Sequence, residues 1–447
     1  MVKYSIACLF SMFFSLVAMA TDLSLSSFGT VGYAQSDQVF NYERFINDTG
    51  TLKRDTVFGI QADLKFTNWF GATFQAKVAP SLNSDSAWDS SISWAFLSVR
   101  PSNDWLIRLG KHRLPLFLYS EIVDVQAAYD FANLPQEIYV LVPMQDYNGV
   151  SVSKTWNPEV GEVSLDVFGG SSEHYVRTYM SNTVPDSEIP PIGPNFMHSN
   201  LTTKGITLKL QRDNDIYRAT VISSTATFTG PPLPTSYALL TAQQAQQIAQ
   251  QQGLPFPYVV FGGSAYYPEN RVSERDVMGY ALGAEIHLPQ AFKLVGEIGR
   301  REFQNMQTGY TTNSGYLALL RDMGKWTPYV SYSGIQSGSS ILDLHQTLLN
   351  NGITVTGPAA ALATETLQKG MVTSAYQRAL ADILMAHDQH TIALGSSYRL
   401  WPNQKIKFEW ARTFVGSSPG AFVDVPSGAD VSGKSIDVLS LSFSFAF

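Results

Sequence analysis

Cations recurring at every second position are the residues of this chain best placed to do chemistry. Lys405, Lys407 and Glu409 share one face of an alternating segment over 404–415, as Arg108 and His112 do over 105–112. The same parity sets Lys65, Lys77, Lys209, Arg218, Lys293, Arg301 and Arg399 on the polar faces of other segments, with Glu285, His287 and Glu297. Cations outnumber carboxylates on these faces, although the whole chain carries 30 basic and 37 acidic residues. Around one confined aqueous space such a set would concentrate anions without making or breaking a bond. The plainer expectation is a set of solvated side chains with no net selectivity.

Other patterns point to catalysis or metals less well. Gly428–Ser435 reads GADVSGKS and matches the phosphate-binding pattern G-x-x-x-x-G-K-[ST]. A phosphate cradle needs a helix after the lysine, whereas here the chain runs into an alternating strand. His387 and His390, in the segment HDQH, lack a clear third ligand and read as a polar loop end. No catalytic residue, metal or cofactor is expected, and the acidic balance disfavours nucleic acid as a partner.

The elements that must position the cations are strands. From Ser435 to Phe447 the chain alternates strictly, with Leu439, Leu441, Phe443, Phe445 and Phe447 on one face and Ser440, Ser442, Ser444 and Ala446 on the other. A strand with an apolar exterior and a polar interior suits a lipid-embedded barrel with a wet lumen. No run of about 18 apolar residues follows Ala20, so only a barrel could carry this chain across a membrane. Residues 1–20 read as a signal peptide: Lys3, an apolar run, then Ala18-Met19-Ala20. Cys8 lies within that leader, which leaves residues 21–447 without cysteine.

Period-two segments predict about sixteen strands, near 23–34, 55–66, 69–80, 91–100, 105–112, 148–156, 162–171, 204–212, 216–227, 276–288, 291–303, 314–321, 325–335, 389–401, 404–415 and 435–447. Every second connection is a tight turn, and those between are longer. Short periplasmic turns and long extracellular loops are the asymmetry of outer-membrane barrels. Trp69, Trp105, Trp156, Trp326 and Trp401 all lie beside the short turns, where an interfacial belt belongs. The long connections 228–275 and 336–388 carry helical patterns over 241–252, 341–350 and 364–386, which are read as small helices over the mouth. Neither insert holds enough apolar residues for a core of its own.

The connection 113–147 is too apolar to sit in solvent: Leu114, Pro115, Leu116, Phe117, Leu118 and Tyr119 precede Glu121, Asp124, Asp130 and Glu137. Folded into the barrel it would narrow the bore. At this point the chain resembles the sixteen-stranded trimeric porins of Gram-negative bacteria, whose loop between strands five and six forms the constriction. The opening Phe28-Gly29-Thr30-Val31-Gly32-Tyr33 and the terminal Phe447 belong to the same resemblance. It implies a homotrimer in outer-membrane lipid and recognition of Phe447 by the barrel-assembly machinery. It also implies a constriction in which Arg108, Arg113 and Lys77 oppose Glu121 and Asp124. A weaker resemblance to phosphate-selective porins lacks their compact Arg-Lys ladder, and the helical inserts depart from the family.

The expected function is passive diffusion of small hydrophilic solutes, with anions preferred. The alternatives are a substrate-specific channel, with Phe117, Tyr119 and Tyr129 as a sliding path, and a receptor or adhesin with a closed barrel. An enzyme embedded in the barrel ranks last.

Overall fold

A computed structural model describes residues 21–447, apart from 143–145, 183–189, 231–232, 242, 245–246, 248–259, 305, 307–309, 351 and 357–373. The leader reading and the helix expected over 241–252 fall wholly or mostly outside the described residues. Sixteen antiparallel strands close into one barrel. They are β1 Asp22–Ser36, β2 Val57–Lys65, β3 Phe70–Pro80, β4 Trp88–Val99, β5 Trp105–Arg113, β6 Asp146–Trp156, β7 Glu162–Met180 and β8 Gly193–Arg212. The second half comprises β9 Asp215–Phe228, β10 Glu274–Leu288, β11 Phe292–Phe303, β12 Thr311–Arg321, β13 Trp326–Ser337, β14 His387–Trp401, β15 Gln404–Pro419 and β16 Ser435–Ala446.

Each strand pairs with its neighbour in sequence, and β16 returns to β1 with Thr30 opposite Ser444. Closure leaves the barrel with no free edge. Phe447 extends the seam by exchanging both backbone hydrogen bonds with Ser27, each 2.8 Å.

Alternation decides the two faces. In β16, Leu439 and Leu441 are exposed on the outside, while Ser440, Ser442 and Ser444 are buried within. A contiguous apolar exterior of this extent has no place in water. All five turn-side tryptophans are exposed, and Lys154 lies 5.0 Å from the ring of Trp105 and 5.9 Å from that of Trp156. That is a lysine stem lying along an interfacial aromatic pair.

The expected strands match the barrel one for one, with two differences in extent. β7 runs to Met180 and β8 starts at Gly193, so this hairpin rises well beyond its predicted ends. Its upper part carries His174, Tyr175, Arg177 and His198, whose polarity hides the strand from a search for apolar alternation.

The inserts also differ from expectation. Helix α1, Ser339–Asn350, packs on α2, Ser374–Ile383, through Leu344, Leu348, Leu380 and Leu384. Tyr237 and Tyr266 join this cluster from the other insert, and strand 260–268 pairs with both 237–241 and 352–356. Two segments each too poor to form a core share one.

Candidate functional site

Residues 114–142 leave the end of β5 and cross the lumen, as the apolar composition of this connection requires. Leu114, Leu116, Phe117, Phe131, Leu134, Ile138 and Leu141 are buried against inward side chains of the wall, among them Phe168, Ile222, Tyr316, Tyr329 and Ile335. Phe131 lies edge-on to Tyr316 and Tyr329 at 6.1 and 5.2 Å. Phe117, Tyr119 and Tyr129 belong to this core, so they form no sliding surface for solutes.

A loop inside a barrel carries backbone groups that no ladder satisfies, and the wall supplies partners for them. Lys407, with none of its surface exposed, donates to the carbonyls of Gln126 (2.5 Å) and Phe131 (2.8 Å), 4.4 Å from the Tyr129 ring centre. Lys405 donates to Asp130 at 2.8 Å and to the Tyr129 carbonyl at 3.1 Å. Arg301 donates to the Leu141 carbonyl at 3.1 Å. Arg218 donates to the Phe117 carbonyl and, at 2.8 Å, to Glu121. Lys293 lies between Glu285 at 3.2 Å and Asp130 at 4.0 Å.

Wall carboxylates complete the attachment. Glu297 accepts from the Leu118 backbone N–H at 2.7 Å and from the hydroxyls of Tyr139 (3.0 Å) and Tyr316 (2.9 Å). Glu409 accepts from Asn133 at 2.8 Å and from Tyr329 at 2.6 Å. The loop's own Glu137 accepts from Ser333, Gln389 and Thr391.

On the opposite wall, Asp124 is held by Lys77 at 2.9 Å and by Arg113. Lys77, Arg113 and Asp124 thus form the contact implied by the resemblance, whereas Glu121 takes Arg218 as its direct partner. Arg108 and Lys209 make no ion pair among the described residues, although both contribute to the positive field at Glu121. Arg108 lies 5.8 Å from the Phe96 ring centre. Desolvation opposes ionisation of Glu121, and Arg218, with Arg108 and Lys209 adding to it, more than offsets this, so its carboxyl sits below the usual range.

Several expected pore-lining residues lie elsewhere. His112 is 1% exposed, edge-on to Tyr147 at 4.4 Å, and Lys407 and Arg113 are equally out of reach of a solute because the loop covers them. Lys65 is exposed beside the turn 66–69, and Arg399 faces Asp322 at 4.0 Å on the same rim. His287 is there too, 3.5 Å from Asp215.

The extracellular half holds a second set of groups with no sequence signal. Residues 37–56 also fold inward: Tyr42 is buried and shares a 2.9 Å hydrogen bond with Thr413, and Arg54 pairs with Glu43 at 2.9 Å. Burial pushes the Glu43 carboxyl up to about 7 despite Arg54. Arg177, on the tall part of β7, donates to both Asp85 and Asp424 at 2.8 Å, while Arg44 also pairs with Asp85. Three loops and one strand meet there, and their spacing in sequence gives no hint of it.

Two apparent motifs dissolve in three dimensions. His387 and His390 lie on opposite faces of β14, one inward and one stacked on Phe414, so they cannot share an ion. Gly416–Gly420 matches the nucleophile pattern G-x-S-x-G, unanticipated above, and Ser418 lies 3.5 Å from His345. The Ser418 hydroxyl is fully buried and donates to the Ala386 carbonyl at 2.7 Å, and only a three-residue 3-10 turn, Gly420–Phe422, follows it. It therefore lacks the exposed strand-to-helix elbow that the pattern requires.

No family model and no curated protein matches the sequence. The fold is similar to the trimer form of OmpT, an outer membrane protein of Vibrio cholerae, with a TM-score of 0.50, 8% identity, and coverage of 95% of this chain and 99% of that one. The outer membrane channel DcaP of Acinetobacter baumannii aligns with a TM-score of 0.48 and 10% identity over 95% and 97% of the two chains. An anion-selective porin from Comamonas acidovorans aligns with a TM-score of 0.47 and 12% identity over 95% and 100%. The chain thus has the fold of a closed sixteen-stranded antiparallel barrel, similar to that of the Vibrio outer membrane protein.

Proposed function

We propose that the barrel is an outer-membrane channel for small hydrophilic solutes, working as a homotrimer and without enzymatic activity. The observation that carries this reading is the inward loop: it is fastened across the lumen and sets Glu121 and Asp124 against a basic wall. Opposed charges across a narrow bore orient and select permeants. Arg108 and Lys209 face the loop with no direct ion pair and no bond to its carbonyls among the described residues, and they support a preference for anions. The trimer form of the similar Vibrio OmpT supports the oligomeric state. Phe447, at the end of the seam, is the residue we assign to recognition by the assembly machinery.

The extent of the lumen filled by residues 37–56 and 114–142 favours one second reading, a barrel closed at rest. A planar-bilayer recording under a salt gradient tests both. Open-channel steps with an anion-directed reversal potential support the proposal, and absence of conductance from folded protein supports the closed barrel. Cation preference would overturn the anion preference and leave the channel standing.

A further inference from the structure

A cavity of about 110 Å³ lies inside the extracellular half of the barrel, between the far end of the inward loop at Leu141 and Val142 and the chain just after α2 at Leu384 and Met385. Its walls are mostly apolar and adaptable: Met197, Phe228, Phe303 and Met306 join Leu384 and Met385. Among the described residues, no aspartate or glutamate lines it.

Two arginines enter this apolar space from adjacent strands. Arg301 of β11 is 6% exposed and uses one N–H on the Leu141 carbonyl, which leaves Nε and one terminal nitrogen buried without a partner among the described residues. Arg275 of β10 donates to the Pro234 carbonyl at 2.8 Å, and its Nε is likewise unpartnered. The two guanidinium groups lie 5.2 and 6.0 Å from the same Phe303 ring centre. Tyr310 Oη, His174 Nε2 and Ser199 Oγ, in the same lining, are also buried without a hydrogen bond among the described residues.

Native proteins rarely leave so many buried donors idle in one place. A buried guanidinium without a counter-charge is costly, and its planar fork matches a carboxylate. We propose that this cavity binds a small amphipathic carboxylate, with its anionic head between Arg275 and Arg301 and an aromatic or short aliphatic body against the methionines and phenylalanines. The head satisfies the free N–H groups, and the Tyr310 hydroxyl is placed to donate as well. The body displaces water from walls that offer it no hydrogen bond. Inorganic phosphate would answer the arginines and leave the apolar walls wet. The site does not depend on the channel reading, because a barrel closed at rest would bind the same ligand.

The test uses the full barrel, purified in nanodiscs and titrated calorimetrically with 3-phenylpropionate, 3-phenylpropionamide and inorganic phosphate. Saturable binding of the carboxylate, with the amide and phosphate each weaker by about tenfold or more, is the expected result. Arg301→Gln should lose about tenfold in affinity. Met197→Trp, which fills the cavity and touches no ion pair, should abolish binding while the barrel keeps its heat-modifiable migration. If Arg301→Gln fails to fold, the ligand series and Met197→Trp still decide. Equal binding of acid and amide, phosphate binding as tightly as the acid, unaltered binding to Met197→Trp, or no saturable heat at millimolar ligand would each overturn the proposal.

Discussion

The lumen holds two populations of inward cations that alternation cannot tell apart. Lys405, Lys407 and Arg218, on β9 and β15, are spent on the inward loop, bonded to its carbonyls and carboxylates. Arg108 and Lys209, on β5 and β8, face the same loop without closing an ion pair. An inward direction is therefore not enough to make a residue pore-lining. The role is set by whether the loop brings an acceptor within reach. Where it does, the cation becomes structural and its charge is lost to a passing solute.

The largest effect should come from breaking the fastening that joins the two walls. Asp124→Ala leaves Lys77 and Arg113 buried without their counter-charge, a change that costs about 3–5 kcal/mol in comparable sites. We expect a lower unfolding midpoint in urea and a larger single-channel conductance as the loop loosens. An unchanged midpoint would mean that water already screens the three groups.

Selectivity should respond only to the other population. At an effective dielectric near 20, two charges about 7 Å apart interact by roughly 2.4 kcal/mol before screening. A residual of about 0.5 kcal/mol changes ion preference around twofold, with RT near 0.59 kcal/mol. Arg108→Glu with Lys209→Glu should move the reversal potential toward cations, more strongly at low salt. Lys407→Met, beneath the loop, should cost stability and leave the reversal potential in place. If both variants shift selectivity alike, the division between the two populations fails.

The smallest effect concerns pH. Glu43 binds its proton more tightly in the folded barrel than in the unfolded chain, because burial lifts its carboxyl to about 7 against an ordinary 4.5. Its contribution is thus full below about pH 4.5 and is lost as pH rises through about 7. Melting curves between pH 5 and 8 should show this decline, and Glu43→Gln should flatten it. A decline of equal size in the variant would assign the effect to another group.

How much of this was legible beforehand follows the range of the interactions. Strands such as Ser435–Ala446 announce themselves because lipid on one side and a polar lumen on the other act on adjacent residues. The inward course of residues 114–142 is legible for the same reason, since a run such as Leu114–Tyr119 is too apolar for solvent. The fate of each cation is not, because it depends on meetings such as Lys407 with Phe131, 276 positions apart. Arg177 between Asp85 and Asp424 lies beyond any pattern for the same reason. The beginning of β8 at Gly193 was missed because that hairpin stands above the membrane, where nothing enforces apolar alternation.

That range of separations also orders events in time. The inward loop leaves β5 early in the chain, yet its acceptors are met by Lys405 and Lys407 on the next-to-last strand. Contacts this distant in sequence form late, since the intervening chain must first surrender its freedom. The fastening of the constriction by Lys405 and Lys407 therefore matures late, although the seam that joins Thr30 to Ser444 spans 414 positions and closes later still. Strands β3, β5, β9 and β11 already hold the loop through Lys77, Arg113, Arg218 and Glu297, and completion of the wall at β15 adds its last fastenings.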